Sequence, residues 1–333
     1  MNYIGSKISL LSFIDETIKD VTGYDDNKGY VFADLFAGTG SVGKYYKTKG
    51  WDVISNDIQQ YSYVLNKHWI CNNTNTTASN IKEIEEYFNN LPIVDGFVCN
   101  NYCSNGGRNY FTNENGGKCD TIRQEIDHLM KNNLISDNEY YWYLASLLDN
   151  VDKCANTASV YISFLKHIKK TASNVFTFQL LPIIDGNIGK VFCGNANNLI
   201  KTIAGDVLYL DPPYNSRQYC AYYHVLETIA RNDNPTVKGI TGQRDYSSQK
   251  SAYCSSKTAL ENLDDLLANA NFTFVFMSYN NEGIMSLEDI KQVMSKYGFY
   301  ERREIQKLRY SADSNRDYKA SQTVEYIHCL RKR

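Results

Sequence analysis

VFADLFAGTGSVG, residues Val31–Gly43, has the pattern of a buried strand, a tight turn and the first turn of a helix. A continuous apolar run bounded by glycines is typical of a strand inside a parallel sheet. Gly38 and Gly40 allow a tight turn and let the backbone approach a nucleotide closely. With Gly43 they also match the dinucleotide fingerprint G-x-G-x-x-G, which by itself leaves a nicotinamide-dependent dehydrogenase open.

A second strand signal, Trp51–Asn56, ends in the acidic residue Asp57. An acid directly after the second strand of such a unit is placed to accept hydrogen bonds from ribose hydroxyls. Asp57 could also cap a helix that starts near Ile58, and the two roles are compatible. The glycine turn and Asp57 together indicate a cofactor that contains a nucleoside.

A third apolar strand signal, Val207–Leu210, is followed directly by Asp211-Pro212-Pro213-Tyr214. Two consecutive prolines lack N–H donors, so they end a strand and stiffen the backbone that follows. A carboxylate and an aromatic ring then flank a small pocket at the carboxyl edge of the sheet, where open α/β sheets bind ligands. Such a pocket suits a flat base with an exocyclic amine, because the carboxylate accepts N–H bonds and the ring stacks on the base. A strand-ending turn without further function is the structural alternative.

Strand and helix signals alternate along most of the chain and predict its fold class. The strand signals are Tyr30–Leu35, Asp52–Asn56, Asp206–Leu210 and Phe272–Met277, and the helical patterns between them are Gly40–Thr48, Gln59–Trp69, Ala221–Arg231, Lys257–Asn269 and Leu287–Tyr297. This alternation predicts an α/β domain with a mostly parallel sheet covered on both faces. Two later apolar-alternating stretches, Tyr300–Tyr310 and Thr323–Leu330, flank the polar Ser311–Ser321 and predict a closing antiparallel hairpin.

Between residues 79 and 184 the alternation fails and helical patterns dominate. These patterns are Ile81–Phe88, Cys119–Lys131, Asp137–Asp152 and Thr157–Lys170. An insertion this long in an α/β domain is usually a substrate-facing module. We therefore predict a catalytic domain formed by residues 1–78 and 185–333, and a largely helical insertion formed by residues 79–184.

The composition excludes several classes of protein. A net charge of −2 argues against a protein that coats nucleic acids generally, although a specific binding face can still be basic. Nine cysteines, an odd number at irregular positions, predict reduced thiols in the cytosol and no metal site. No apolar stretch approaches the ~20 residues of a membrane span, and the start of the chain has no signal-peptide core, so we expect a cytoplasmic protein.

The motifs, in this order, resemble those of the Dam-like, alpha-group DNA adenine methyltransferases, especially methyltransferases of type IIS restriction–modification systems such as FokI. The resemblance rests on Asn2–Lys7, Asp34–Gly40, Asp57, Asn109–Thr112 with Lys118, Asp120 and Arg123, Ala155–Tyr161, Asp211–Tyr219, Tyr223–Thr228 and Ser278–Gly283. It covers nearly the whole chain. It implies a Rossmann-like methyltransferase fold, S-adenosylmethionine as cofactor and the N6 amine of adenine in duplex DNA as the methyl acceptor.

The resemblance also assigns roles to individual residues. The catalytic residues would be Asp211, Pro212, Pro213 and Tyr214: the Asp211 carboxylate and the Pro212 carbonyl would accept hydrogen bonds from the adenine amine, and Tyr214 would stack on the base. The cofactor would be bound by Tyr3, Lys7, Asp34, Phe36, Gly38, Gly40, Asp57, Asn195 and Asp211. Asn195 departs from the family, which often has an acid there, but an amide can still hydrogen-bond an adenine edge.

DNA recognition is expected in the helical insertion and in Arg217–Tyr246, which interrupt the strand–helix alternation. The candidate DNA contacts are Arg108, Arg123, Lys169, Arg217, Tyr219 and Arg244, because arginine can read guanine and lysine can anchor phosphate. By contrast, Tyr110, Phe111, Tyr141, Trp142 and His224 are interpreted as core residues. The implied partners are duplex DNA and a separately encoded restriction endonuclease.

Four alternative functions stay open on the sequence. A cytosine-N4 methyltransferase usually carries serine at the position of Asp211, and an RNA adenine methyltransferase usually carries asparagine there. A NAD-dependent oxidoreductase explains the glycine turn but leaves Asp211–Tyr214 without a role. A catalytically silent DNA-binding relative would not need the intact tetrapeptide.

Overall fold

The computed structural model describes residues 3–26, 28–75, 80–308 and 322–333. Some residues of the predicted motifs, insertion and hairpin lie outside these ranges, namely Asn2, Ser79, Tyr310 and Ser311–Ser321. The strands are β1 (Val31–Asp34), β2 (Asp52–Asp57), β3 (Lys190–Cys193), β4 (Ala204–Leu210), β5 (Asn271–Asn280), β6 (Gly298–Leu308) and β7 (Gln322–Lys332). They form a seven-stranded sheet in the order β3-β2-β1-β4-β5-β7-β6.

Within the described residues, the helices are as follows. They are α1 (Leu11–Thr22), α2 (Ser41–Thr48), α3 (Gln60–Cys71), α4 (Ile81–Asn89), α5 (Phe97–Tyr102), α6 (Asn113–Lys131), α7 (Asp137–Lys153), α8 (Lys170–Ser173), α9 (Ala196–Leu199), α10 (Tyr219–Tyr222), α11 (His224–Arg231), α12 (Ala259–Asn269) and α13 (Leu287–Ser295).

The sheet is mostly parallel, which confirms the predicted fold class. β1 to β5 pair in parallel, whereas β7 pairs antiparallel with both β5 and β6. β6 and β7 are the predicted closing hairpin. The pairing of Phe32 with Val207 and of Asp34 with Tyr209 places the carboxyl ends of β1 and β4 side by side.

Contacts among the described residues divide the chain into two compact units. The sheet unit comprises Ser6–Ile58, Gly186–Gln218 and Lys250–Arg333, and it contains all seven strands. One face of its sheet, including Ala33, Leu208 and Val275, packs in a single buried cluster with leucines and methionines of α12 and α13. On the opposite face of the sheet, Phe32 of β1 stacks on Tyr46 of α2 with ring centroids 4.0 Å apart. Alternation along each strand thus gives the sheet two covered faces.

The helical unit comprises Met1–Gly5, Gln59–Asp185 and Tyr219–Gln249, so the predicted insertion of residues 79–184 falls within it. Its α7 begins with a capping box, in which the Ser136 side chain accepts from the backbone N–H of Glu139 and the Glu139 side chain accepts in return. Tyr110, Phe111 and Trp142 are buried, as interpreted from the sequence, and Tyr141 is partly buried.

Charged side chains hold the helices of the helical unit together. Glu227 of α11 is 1% exposed, and its carboxylate accepts from the backbone N–H groups of Gln60 and Tyr61 at the start of α3. The same carboxylate accepts from Arg231 Nε and Gln249 Nε2, each at 2.6 Å. A carboxylate at a helix N-terminus satisfies unpaired donors and complements the helix dipole. Glu227 therefore links α11 to the start of α3 and to Gln249 within the core of the helical unit.

Candidate active site

Asp211 follows the last residue of β4, where the Pro212-Pro213 pair ends the strand as predicted. From β1 the chain winds outward through β2 and β3, and it then returns to β4 on the other side of β1. The crevice between the carboxyl ends of β1 and β4 is therefore a topological switch point, the usual ligand site of an open α/β sheet. Asp34, the last residue of β1, and Asp211 lie at this crevice.

Lys7, Asp211 and Tyr214 form one cluster at this edge of the sheet unit. Lys7 is 5% exposed, and its Nζ lies 2.7 Å from Asp211 Oδ2 and 5.0 Å from the centroid of the Tyr214 ring. The Tyr214 hydroxyl donates to Asp211 Oδ1 at 2.8 Å. Each carboxylate oxygen has two acceptor sites, so Asp211 can still accept hydrogen bonds from a bound base.

The Tyr214 side chain has a fixed environment. The ring centroid of Tyr214 lies 4.8 Å from that of Tyr279, with the ring planes tilted by 60°. The backbone carbonyl of Tyr214 accepts from Ile284 N at 2.9 Å. Burial and the adjacent Asp211 carboxylate raise the pKa of Tyr214 well above its usual value. The neutral hydroxyl is therefore a hydrogen-bond donor at physiological pH, consistent with its bond to Asp211.

Asp34 is an unusual carboxyl group in the same crevice. It is 1% exposed, and its Oδ1 has no hydrogen-bond partner among the described residues. Burial, followed by the negative charge of Asp211, raises the pKa of Asp34 well above its usual value. Buried polar atoms are normally satisfied in native proteins, so an unsatisfied oxygen at a ligand crevice fits a partner that arrives with a ligand.

The glycine turn after β1 is closed by the acid after β2. Gly38 and Gly40 have φ values of 51° and 81°, a region that favours glycine, and Gly38 N donates to Asp57 Oδ2 at 2.9 Å. Asn56, which the sequence analysis did not single out, is 1% exposed and donates to the carbonyls of Leu35 and Gly194 at 3.0 Å each. Asn56 thus joins the segments that follow β1 and β3. A turn of bare backbone with an adjacent carboxylate fits the nucleoside part of a cofactor.

The remaining predicted cofactor residues lie in different surroundings. Phe36 contacts Tyr253 edge-on in the sheet unit, with ring centroids 5.1 Å apart. Asn195 is exposed, and its side chain accepts from Asn198 N to cap α9. Tyr3 belongs to the helical unit, where its ring stacks on Tyr223 at 4.8 Å. Cofactor contact by these three residues stays a prediction.

Five of the six predicted DNA contacts have hydrogen-bond partners inside the helical unit. Arg123 is 4% exposed and bonds Asp127 together with the carbonyls of Ile229 and Ala230 at the end of α11. Arg244, 7% exposed, makes a bidentate ion pair with Asp233 and lowers the pKa of that carboxyl despite its partial burial. DNA contact by Arg123 or Arg244 stays a prediction and would require these pairs to open.

Arg108 and Lys169 bond backbone carbonyls. The Arg108 guanidinium donates to the carbonyls of Asn101, Gly239 and Ile240, and Lys169 Nζ donates to the carbonyl of Thr157 at 2.9 Å. The Tyr219 hydroxyl likewise donates to the carbonyl of Ile4 at 3.4 Å, whereas Arg217 is exposed in the sheet unit.

Most other potential reactive groups are buried, whereas Cys193 is exposed. His224 is 0% exposed, and burial lowers its pKa to about 4, so it is neutral at pH 7. All nine cysteines lie in the described part of the chain, and none forms a disulfide. Over the same residues, no group of three or more His, Cys, Asp or Glu side chains could hold a metal ion. No described helix is both long and apolar enough to cross a membrane.

Residues 3–293 match the family model for D12 class N6 adenine-specific DNA methyltransferase. The type II methyltransferase M.NlaIII of Neisseria lactamica is 42% identical, and the alignment covers 100% of this chain and 99% of that protein. Modification methylase StsI of Streptococcus sanguinis is 39% identical over 93% of this chain, and M.FokI of Planomicrobium okeanokoites is 37% identical over 100% of it. The chain spans about half the length of the latter two proteins, 48% and 53% respectively.

Proposed function

The chain belongs to the D12 class of N6 adenine-specific DNA methyltransferases, and on that premise we propose that methyl transfer takes place at the Lys7–Asp211–Tyr214 cluster, on an adenine extruded from duplex DNA. Its methyl donor is S-adenosylmethionine, which supplies an electrophilic methyl group when bound. The observation that carries the proposal is the placement of Asp211, paired with a buried lysine, at the switch point of the sheet.

Asp211 is the residue that orients the adenine amine. Its carboxylate and the Pro212 carbonyl accept the two N6 hydrogens, which turns the nitrogen lone pair away from the ring and toward the incoming methyl group. Positioning and electrostatics are sufficient for a direct displacement, so no enzyme nucleophile is required. Lys7 balances the charge of the partly buried Asp211 carboxylate and holds one of its oxygens in place.

Tyr214 is the stacking partner of the base. An adenine outside the duplex loses its neighbours in the stack, and an aromatic side chain replaces part of that contact. The bonds of Tyr214 to Asp211 and Ile284 hold its ring beside the carboxylate that receives the amine. The tetrapeptide Asp211–Tyr214 thus supplies hydrogen bonds to the edge of the base and a stacking contact to its face.

The residues at the ends of β1 and β2 are the binding site for the methyl donor. Asp57 would accept a hydrogen bond from the ribose, the backbone from Gly38 to Gly40 would contact the nucleoside, and the unsatisfied Oδ1 of Asp34 would take a hydrogen bond from the donor. These roles use groups that lie at one edge of the sheet unit. They leave Asp211 to bind the base.

Deprotonation of the methylated amine needs no protein base, because an N-methylated ammonium is strongly acidic and loses its proton to water. His224 is unsuited to that role, since its Nε2 bonds the carbonyl oxygen of Tyr161 at 2.8 Å in a buried position. We therefore assign His224 a structural role.

Single-molecule sequencing of DNA from cells that express the chain tests the proposal. We expect N6-methyladenine at one short motif with the wild-type chain and none with Asp211→Ala. Modified cytosine at the motif would instead support an N4 methyltransferase, and methylation that persists in Asp211→Ala would remove Asp211 from the mechanism. Methylation found in RNA and not in duplex DNA would overturn the substrate.

The biological role proposed for this activity is protection of DNA within a restriction–modification system. Support comes from the relatives, which are named type II methyltransferases or modification methylases. DNA from cells expressing the chain should resist an endonuclease that cuts the same motif when the motif is unmethylated. The same DNA from cells expressing Asp211→Ala should be cut, and equal cutting of both DNAs would contradict the role.

A further inference from the structure

Ile240 is the most exposed large hydrophobic residue in the described part of the chain, at 85% of its accessible surface. A single exposed isoleucine on a mobile loop needs no explanation. Ile240, however, lies in the turn Lys238–Gln243, whose backbone is bonded on both sides. The combination of a fixed backbone and an unpacked apolar side chain suggests contact with a partner.

The turn closes on itself. Lys238 N donates to the Gln243 carbonyl at 2.8 Å, and Gln243 N donates back at 2.9 Å. Gly239 and Gly242 have φ values of 71° and 67°, in the region that favours glycine. A Cβ at Gly242 would lie 2.7 Å from Arg108 Nε, so the close approach of Arg108 also requires glycine there.

Side chains from elsewhere in the helical unit hold the carbonyls of the turn. Arg108 donates to the carbonyls of Gly239 and Ile240, each at 3.1 Å, and the Tyr102 hydroxyl donates to that of Gly242 at 3.1 Å. The Tyr110 hydroxyl lies 3.0 Å from the carbonyl oxygen of Thr241. Three carbonyls of the turn thus accept side-chain hydrogen bonds and a fourth lies beside the Tyr110 hydroxyl, so the turn presents Ile240 rigidly.

Exposed basic residues lie in the turn and in a segment bonded to it, and the acids nearest to the turn in sequence are Asp245 and Asp233, the latter paired with Arg244. The Tyr110 hydroxyl that contacts the turn also donates to the carbonyl of Tyr161 at 2.6 Å, which joins the turn to the segment Ile162–Lys170. That segment exposes Lys166, His167 and Lys170 to solvent, and the turn itself exposes Lys238. Residues 157–170 and 236–244 contain no acidic residue, although the whole chain has a net charge of −2. An apolar tip among cations complements a polyanion with an apolar interior.

We propose that the turn Lys238–Gln243 inserts into duplex DNA, with Ile240 as a wedge between base pairs and the Ile162–Lys170 segment against the phosphates. The proposal rests on the proposed duplex substrate. Apolar side chains placed between base steps unstack them, and cations beside the groove anchor the backbone without reading sequence. Because the wedge unstacks the duplex, it lowers the cost of base extrusion and favours the open form of the target site. Ile240 is thus a positioning residue for methyl transfer.

The test compares Ile240→Ala with Leu134→Ala, a matched change at another exposed residue of the helical unit, 64% exposed. Unmethylated duplexes carry the recognition motif with either a paired or a mispaired target adenine, and a second set carries the fluorescent base 2-aminopurine at that position. Because a mispaired base is already partly unstacked, it needs the wedge less. Ile240→Ala should lower the single-turnover rate on the paired duplex roughly 10- to 100-fold and abolish the 2-aminopurine fluorescence increase.

Three results support the wedge together: the mispaired duplex restores the rate of Ile240→Ala to within a few-fold of wild type, Ile240→Leu is active on both duplexes, and Leu134→Ala matches wild type. Equal rates of Ile240→Ala and wild type on the paired duplex would overturn it. So would a loss of rate that the mispaired duplex does not restore, which is the result expected if Ile240 binds a protein or serves only the fold. A wild-type chain inactive on every duplex would contradict the proposed function itself.

Discussion

Charged residues in the sheet unit and in the helical unit occupy opposite kinds of position. In the sheet unit, Lys7, Asp34 and Asp211 lie at the carboxyl edge of the strands, where a ligand can reach the crevice between them. In the helical unit, Glu227 and Arg123 point into the core, where backbone N–H groups and carbonyls saturate them. The residues that carry the resemblance to the family are thus of two kinds: those placed to act on ligands and those that hold helices together.

The largest effect on stability is expected from Glu227→Ala. It removes the carboxylate that accepts from the backbone N–H groups of Gln60 and Tyr61 and from Arg231 Nε. Removal of one partner from a buried ionic network typically costs about 3–5 kcal/mol in the free energy of unfolding. Urea unfolding measures the loss, with Glu261→Ala on the exposed face of α12 as the control, expected within about 0.5 kcal/mol of wild type. If both variants are equally stable, the structural role of Glu227 is wrong.

The next effect is a dependence of stability on pH that both units share. Burial lowers the pKa of His224 in the helical unit to about 4 and that of His328 in the sheet unit to about 3, compared with about 6.5 in the unfolded chain. Between these values the unfolded chain binds more protons, so stability is fully present above pH 6.5 and is lost as the pH falls. For His224 alone the loss between pH 7 and pH 4 is about 3 kcal/mol.

His224→Gln should flatten this pH profile, and His128→Gln at an exposed position should leave it unchanged. Urea unfolding at a series of pH values measures both. A profile that His224→Gln does not change would mean that the histidine is accessible to protons in the folded state.

Lys7→Met tests whether Lys7 positions Asp211 or binds the methyl donor. The resemblance assigned Lys7 to the binding site of the methyl donor, and the structure pairs it with Asp211. If Lys7 positions Asp211, the variant should lose up to about 10²-fold in kcat, as misplaced catalytic groups do, with little change in affinity for S-adenosylhomocysteine. Lys7→Arg should recover part of the rate. Calorimetry that shows weaker product binding with an unchanged kcat would return Lys7 to the donor site.

Asp57→Ala should have the opposite signature and a smaller effect. Its carboxylate bonds Gly38 N and is proposed to bond the ribose, so its loss should weaken S-adenosylhomocysteine binding by about 1.5–3 kcal/mol. Saturating donor should restore most of the rate. Unchanged affinity for S-adenosylhomocysteine would remove Asp57 from the cofactor site, and tight NAD binding in its place would favour the oxidoreductase.

The sheet was predictable because its central strands are continuous apolar runs that end in recognisable turns. β3 was missed because it is a four-residue edge strand with exposed ends, and its sequence KVFC has no strand-length pattern. The predicted helix Ala221–Arg231 is in fact two, α10 and α11, which meet at Tyr223. Local periodicity cannot show such a break, because the break depends on packing between segments that are distant in sequence.

The candidate site was predictable in its parts and not in its connections. The sequence located Asp211–Tyr214 and Asp57, since each follows a strand signal. The ion pair of Lys7 with Asp211 joins residues 204 positions apart, and no local pattern indicates it. Asn56 was missed for the same reason, because its bonds to Leu35 and Gly194 form only when three strands assemble.

Single-turnover methylation of a duplex by Asp211→Ala decides whether the chemistry resides at the edge of the sheet unit. Loss of a hydrogen bond that tightens in the transition state should lower the rate ~10²- to 10³-fold. The variant should still fold, because Asp211 lies at a crevice and not in the core, but loss of the ion pair with the buried Lys7 should lower its unfolding temperature. Asp233→Ala, which removes the partner of Arg244 in the helical unit, is the control for loss of an ion-paired aspartate and should keep a rate near that of wild type. A rate for Asp211→Ala equal to that of Asp233→Ala would show that the cluster at Asp211 is not the site of methyl transfer.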